Sequence, residues 1–454
     1  MTKRQLRALI AVTLSSSVVF LDGTVVNLAL PKLASDLHAG FTAQQWTVEG
    51  YLLTLSALIL LGGTLGDIFG RKRVYLVGLV GFGLSSLVCA VAPTAGALVA
   101  ARLLQGVFGA LLIPGALAII ETNFGLEQRG AAFGRWTAWS SAATAVGPLL
   151  GGYLIDAVSW RAVFLINLPL VLLSLWLAVP NIHESRDDWP RRVDGWGAAL
   201  AMLALAGLTY GLIQGPPQHW SAAPVAALAV GVALAVIFVV VERRAADPML
   251  NLALFRSRNF TGANLTTFAM YGALSGFFFA YVIYAQTALG FSSLMAGLST
   301  LPVTLCLLLL SRRAGAWSAR LGPRLFMTVG PIMAGLGMAA LWWLHPGVPV
   351  WAPLPGIIIF GIGMALTVAP LTTTVMAAVD ETNAGIASAV NNAVSRVAGL
   401  VVIALLGLFG AAQTYRFSVA LCAALAIVAG IISWLIIKNP RLASRRQSAK
   451  TADA

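Results

Sequence analysis

The sequence predicts an all-α polytopic membrane protein of fourteen spans, and three observations carry that reading. Of 454 residues, 59% are hydrophobic and only 10% are charged, with a mean hydropathy of +0.87. A soluble domain uses about 25% charged residues to cover its surface, so lipid must solvate most of this chain. Apolar stretches of about 20 residues, the length of a helical crossing, recur along it, and the alternating ten-residue segments of a membrane barrel are absent. The third observation is that Lys and Arg fall almost wholly in every second connection.

The first apolar run, 8–30, follows Lys3, Arg4 and Arg7, yet it holds Asp22 and many spans follow it. It therefore reads as a crossing and not as a signal peptide. Further spans fall at 46–66, 74–92, 97–119, 133–155 and 161–180, then at 196–214 and 223–241. The last six are 260–285, 293–311, 325–344, 353–378, 384–409 and 416–437. With the N-terminus in the cytoplasm, the cytoplasmic segments hold 24 of the 29 Lys and Arg. Outside lie only Lys32, Arg161 and Arg416, while Arg102 and Arg396 sit within spans. This bias, with an even span number, sets both termini in the cytoplasm of a multi-pass inner-membrane protein. The net charge of +13 is then topology and contact with lipid head groups, with no nucleic-acid partner. Pro248–Phe260 reads as a short interfacial amphipathic stretch with Arg256 and Arg258 at the head groups.

Cys89, Cys306 and Cys422 stand singly in apolar segments and read as small core residues. His38, His183, His219 and His345 all fall in loops, so no intramembrane haem, iron or zinc site is expected. A membrane enzyme would need a nucleophile, His or metal constellation, a receptor a sizeable soluble domain, and a channel a repeated filter segment; none is found in the sequence.

Internal repetition is the next signal. Residues 63–72, GTLGDIFGRK, follow the second span, and residues 315–324, GAWSARLGPR, follow the tenth. Gly63/Gly315, Gly70/Gly322 and Lys72/Arg324 coincide at an offset of 252 residues. The expected organisation is a six-helix N-terminal half at 1–180, two linking helices with the interfacial segment at 181–258, a six-helix C-terminal half at 259–438 and a cytoplasmic tail at 439–454.

Charged residues inside spans are the informative exceptions, each costing roughly 2.5–3.5 kcal/mol at mid-helix. Asp22 stands about eight residues, or about 12 Å, from the outer end of the first helix. Arg102 lies about 8 Å from the outer end of the fourth, and Glu49 just inside the second. Their similar depth permits contact. Asp22 is either one arm of a structural ion pair with Arg102 or a proton-binding carboxylate that alternates between Arg102 and water. Glu49 either meets interfacial water or, desolvated beside Trp46 and Tyr51, binds a proton or a cationic substrate. Asp156, near the outer end of the fifth helix, reads as a local cap or ion-pair partner. In that helix Gly147, Pro148, Gly151 and Gly152 combine close-approach positions with a bend, as a packing face or as an outer gate. Arg396, with Asn391 and Asn392, makes the polar face of helix 13 basic and neutral; it either recognises an anion or bonds to backbone carbonyls. Asn264, Tyr271, Ser275, Phe278 and Val282 recur at helical spacing in helix 9, as a cavity lining or as a packing face.

Taken together and in order, several segments resemble the major facilitator superfamily. LDGTVVNLALP (21–31) looks like the signature of its drug:proton antiporter branches. GTLGDIFGRKR (63–73), RLLQGVFGA (102–110) and AVGPLLGG (145–152) resemble its loop, helix 4 and antiporter helix 5 motifs. WTVEGY (46–51) and WRAVFLINLP (160–169) look like the fourteen-helix branch. The C-terminal half matches mainly through the loop echo and GIASAVNNAVSRVAG (385–399). The resemblance implies the major facilitator fold with two extra central helices. It makes Asp22 the carboxylate of proton coupling, with Arg102 modulating its proton affinity. Gly63, Asp67, Gly70, Arg71 and Lys72 become a charged inner latch that locks the outward-open state, and Gly147, Pro148, Gly151 and Gly152 the outer closure.

The activity so implied is export of small amphipathic compounds, as in multidrug efflux, by alternating access. It would be driven by the proton gradient with no cofactor, in a monomer bathed in lipid. The other candidate is a dedicated exporter of one endogenous metabolite, neutral or anionic. Substrate contacts are expected from Glu49, Trp46, Tyr51, Asn264, Tyr271, Phe278 and Asn392. Two departures count: spans 9 to 14 contain no acid, against strong recognition of dications, and the last connection, Gly410–Tyr415, is too short for an outer hairpin.

Overall fold

The computed structural model of the chain describes residues 1–187, 194–245, 250, 252–380, 384–409 and 414–439. The expected tail from 440 onward, residues 410–413 of the last connection, and 248, 249 and 251 of the interfacial stretch lie outside them. The helices are α1 (Lys3–Asp36), α2 (Phe41–Phe69), α3 (Arg71–Ala90), α4 (Ala95–Asn123), α5 (Leu126–Ala157) and α6 (Ala162–Asn181, with a break at Ile166). Then come α7 (Gly195–Gln214), α8 (Ala222–Arg244), α9 (Arg258–Thr287), α10 (Ser293–Leu321), α11 (Pro323–Ala339), α12 (Leu354–Ala377), α13 (Ala384–Leu406) and α14 (Thr414–Ile436). A single 3-10 turn, Leu252–Arg256, precedes α9 where the amphipathic stretch is expected.

Their starts are written in the sequence. Thr2 and Gln5 form a reciprocal capping box on α1, and the side chains of Thr94, Asp194, Ser257 and Ser292 cap α4, α7, α9 and α10. Twelve helices among the described residues are long and apolar enough to cross a membrane, against the fourteen expected. The two that fall short are α5 and α11. Gly, Ser and Thr dilute the apolar content of α5, which lies between α1 and α10 instead of facing lipid throughout. Helix α11 has only 17 residues, because the chain turns at 340–343 within the expected span 325–344.

The first six helices and the last six make the same five principal pairings. In the first set α2 and α3 pack on α4, α5 and α6 on α1, and α3 on α6. In the second α10 and α11 pack on α12, α13 and α14 on α9, and α11 on α14. The polar contacts repeat as well. Arg4 Nε donates to Asn181 O and Arg258 Nε to Ile436 O. Lys72 Nζ donates to Val179 O and Arg324 Nε to Trp434 O. The loop glycines Gly70 and Gly322 both have positive φ, 105° and 92°. A Cβ at either would strike a side chain that closes the loop, Glu184 or Asn439. Glu184 accepts from the backbone N–H of Lys72 and Arg73, and Asn439 from that of Arg324, so each completes the N-terminus of a helix, α3 or α11. Loop glycine, basic residue and closing side chain thus recur together, far beyond what the loop echo alone carries.

The start of α1 and the end of α14 lie at one end of the bundle. Among the described residues, the hydrogen bonds joining α1–α6 to α9–α14 lie at the other. Gln45 donates to Ile403 O and Gln286 to Leu28 O, both at 2.9 Å. Asp156 accepts from the backbone N–H of Ser293 at 3.1 Å and of Leu294 at 2.8 Å. Backbone meets backbone there: a Cβ on Gly152 would fall 2.7 Å from Leu294 Cα, and one on Gly297 2.4 Å from Pro148 O. The contacts between the sets run through α5 with α10, α2 with α13 and α1 with α9, while α7 covers the α2–α13 seam and α8 packs on α7.

Candidate functional site

The site is built around Asp22, buried in α1 without access to solvent. Two helices bring three donors to its carboxylate. Arg102 Nη1 of α4 donates to Asp22 Oδ2; Gln105, one turn on, donates to Oδ1 at 3.0 Å, and Asn167 of α6 donates to Oδ1 at 3.1 Å. Gln105 and Asn167 also reach Ser86 Oγ of α3, at 2.8 and 3.2 Å. Arg102 is held from a further side: its Nε donates to Thr47 O of α2, and its guanidinium lies 4.2 Å from the centre of the Tyr51 ring and 5.8 Å from that of Phe164. The pair Asp22–Arg102 is thus one edge of a satisfied network of Asp22, Ser86, Arg102, Gln105 and Asn167, with Asn167 Oδ1 left unpartnered. A buried ion pair is tolerated when its remaining lone pairs and protons are engaged in this way.

Gln105, Asn167 and Ser86 were not among the expected site residues. Two of them carried a signal: Gln105 follows Arg102 by three residues in RLLQG, one helical turn, and Asn167 lies in the WRAVFLINLP segment. Ser86 had none, because only packing brings α3 to this point.

The other candidates fall into separate places. Glu49 is buried in α2, and neither carboxylate oxygen has a hydrogen-bond partner. Its expected neighbours lead elsewhere: Trp46 meets the Tyr210 ring of α7, 6.4 Å between centroids, and Tyr51 lies buried under Arg102 with its hydroxyl donating to Val19 O. Asn264 is buried and accepts from Asn391 at 3.1 Å. Phe278 packs edge-on to Phe360 at 5.9 Å, whereas Asn392 is exposed. Asp67 pairs with Arg71 at 2.8 Å within the loop, while the backbone N–H of Asp187 donates to Asp67 O and that of Arg71 to Ser185 O. The loop motif is folded back onto the strand of chain that leaves α6. Helix 5's motif is two-sided: Gly147 and Gly151 meet Thr24 and Val25 of α1, Pro148 and Gly152 meet α10. Asp156 is a cap, and the helix it caps, α10, belongs to the other set of six. It also pairs with Lys32 at 3.3 Å.

A helical membrane bundle of two similarly packed sets, joined at one end and holding a buried charge network in one set, has the architecture of a membrane transporter. The sequence profile of the Major Facilitator Superfamily matches residues 12–403, and the chain belongs to that family. It is a transporter and not an enzyme. It is 34% identical over 412 residues to the multidrug resistance protein Stp of Mycobacterium tuberculosis, covering 90% of this chain and 76% of that one. It is 33% identical to the methylenomycin A resistance protein of Streptomyces coelicolor, over 95% and 91% of the two chains, and 33% identical to the multidrug efflux pump LfrA of Mycolicibacterium smegmatis, over 88% and 80%. In fold it is similar to a peptide transporter POT bound to sulfate, with a TM-score of 0.72 at 16% identity over 97% and 94% of the chains. It also resembles the inward-open xylose transporter XylE of E. coli, with a TM-score of 0.67 at 15% identity over 96% and 97%.

Proposed function

We propose that this chain is a proton-coupled antiporter that exports small amphipathic compounds across the cytoplasmic membrane by alternating access. The observation that carries the reading is Asp22: a carboxylate wholly enclosed by protein, paired with an arginine and an amide of α4 and an amide of α6. Such a group is retained where a proton must be taken up and given back. Arg102 lies directly against Asp22, the arrangement this reading assigns to the discharged half of the cycle. The efflux pumps and resistance proteins that the chain is similar to support export as the direction.

In this reading α5 and α11 complete fourteen spans, α1–α6 and α9–α14 are the two halves, and α7 and α8 are an insertion between them. The positive-inside bias sets the termini end in the cytoplasm, so the bundle is closed outside, a discharged carrier facing inward. Asp67 and its loop are the latch, disengaged in this state because Asp67 is held within its own half. Asp156 on the N-terminus of α10, with the Pro148–Gly297 contact, is the outer closure. Glu49 is a second proton carrier, since a buried carboxylate with no donor facing it cannot keep its charge away from water. A monomer is sufficient for the whole cycle.

The test is transport in proteoliposomes under an imposed pH gradient. The wild type is expected to accumulate an amphipathic compound against its concentration gradient, and Asp22→Asn to lose that accumulation while keeping exchange without a gradient. Uphill transport by Asp22→Asn removes Asp22 from coupling.

A further inference from the structure

The mechanism above leaves one membrane-embedded charge unused. Arg396 stands midway along α13, partly buried, and among the described residues it makes no hydrogen bond and no ion pair. It bonds to no backbone carbonyl, which was one of its two expected roles. Helices α9 to α14 contain no Asp or Glu; the acids of this half, Asp380 and Glu381, stand in the connection before α13. Across the interface, Asp22 is enclosed with Arg102. What faces the guanidinium is aromatic: it lies 5.8 Å from the centre of the Phe20 ring of α1.

The side of α13 that carries Arg396 is the one turned to the first six helices. Ala393 packs against their core, and Ile403 and Gly407 meet Gln45 of α2 at the closed end. One turn before Arg396, toward the termini end, Asn392 is exposed, and no bond between the halves closes the space there. Phe20 in turn packs edge-on to Trp136 of α5, 6.5 Å between centroids. A cation thus lies on the face of α13 turned to the first six helices, one turn from the exposed Asn392, with aromatic surface beside it and no acid in the helices of its own half.

We propose that this is an anion-binding subsite, which takes the carboxylate of an amphipathic substrate on Arg396 while its apolar body lies against Phe20 and Trp136. The proposal rests on the export reading and sharpens it from amphipathic compounds in general to carboxylate-bearing ones. The chemistry fits arginine: a planar fork matches a carboxylate with two parallel N–H···O bonds, which a lysine cannot reproduce. A guanidinium without a partner in a low-dielectric site gains the most from an incoming anion, and the aromatic faces accept the rest of an amphiphile without desolvating further polar groups.

The experiment compares acid with ester. Binding of 1-naphthaleneacetate, larger aryl carboxylates and the methyl ester of each is measured at pH 7 to purified full-length protein in lipid nanodiscs. The wild type is expected to bind at least one acid tenfold or more tighter than its ester. In Arg396→Gln acid and ester should bind alike, and Arg396→Lys, which keeps the charge without the fork, should fall between them. Ester binding by Arg396→Gln at the wild-type level shows that the variant is folded. If no acid outbinds its ester in the wild type, or if Arg396→Gln keeps the preference, the proposal is overturned. Transport on a pH gradient is then measured with the same compounds. A protein that binds the acid through Arg396 but moves neither acid nor ester keeps the anion site and loses the export reading. One that moves esters and cations but never prefers an acid keeps export and loses the site.

Discussion

A carboxylate buried among helices has to find its hydrogen-bond partners within the protein, and Asp22 finds them in Arg102, Gln105 and Asn167. The amides matter because they keep donating when the arginine leaves. Arg102→Ala is therefore expected to move the pH at which transport peaks instead of only scaling the rate, as read from pH-jump transport in liposomes. Removing an amide should act in the same direction more weakly. Asn167→Leu takes away one donor each from Asp22 and Ser86, and about 1 kcal/mol or more is expected from the loss. A pH profile for Asn167→Leu that superimposes on the wild type would reduce the amide to packing. Glu49→Gln is expected to impair transport of cations more than of neutral compounds if Glu49 also meets substrate. Equal losses across the panel, with weaker response to the pH gradient, assign it to coupling alone.

Among the elements, α5 carries the closure. One face of its glycine motif fits α1 and the other fits α10, so the helix is held to its own half while it meets the opposite one. Gly152→Leu places side-chain atoms where Leu294 Cα and Ser293 O already lie, and it should prevent the far end from closing. Transport is expected to fall at least tenfold with normal insertion in the membrane, and spin labels on the far ends of α5 and α10 should report a wider separation. Asp156→Ala removes the cap on α10, typically about 1 kcal/mol or about fivefold in the ratio of closed to open, together with the pair to Lys32 within its own half. The same spin-label distances should therefore show a mixture instead of a single open state. Unchanged distances in both variants would mean that the α5–α10 contact does not set the conformational balance.

The pairings repeated in the two sets of six account for the whole molecule, and α7 lies over the seam where α2 meets α13. Short spans such as α11 are tolerable in that setting because neighbours cover much of their surface. The proposed fourteen crossings with both ends inside make definite assignments for reporter fusions. Fusions after residues 130, 190, 247 and 322 should report the cytoplasm, and fusions after 159, 218 and 347 the outside. An inside report at 159 or 347 would show that α5 or α11 does not cross, and an inside report at 218 would do the same for α7 and α8.

Composition and spacing alone determined the membrane class and the order of the helices, because burial in lipid forces long apolar runs. The buried acid and arginine were legible for the same reason: a charge inside a span is rare enough to stand out singly. Tertiary structure decided what those residues touch. Asn167 reaches Asp22, and Ser86 the amides that hold it, only because α6 and α3 pack beside them, and Tyr51, expected beside Glu49, lies under Arg102 because positions two apart on a helix face different neighbours. The loop echo offered a glycine and a basic residue in register, but Glu184 and Asn439, which close the two loops, lie more than a hundred residues away in the chain. Periodicity records which side of a helix is buried; it carries no record of the distant segment that the fold lays against it.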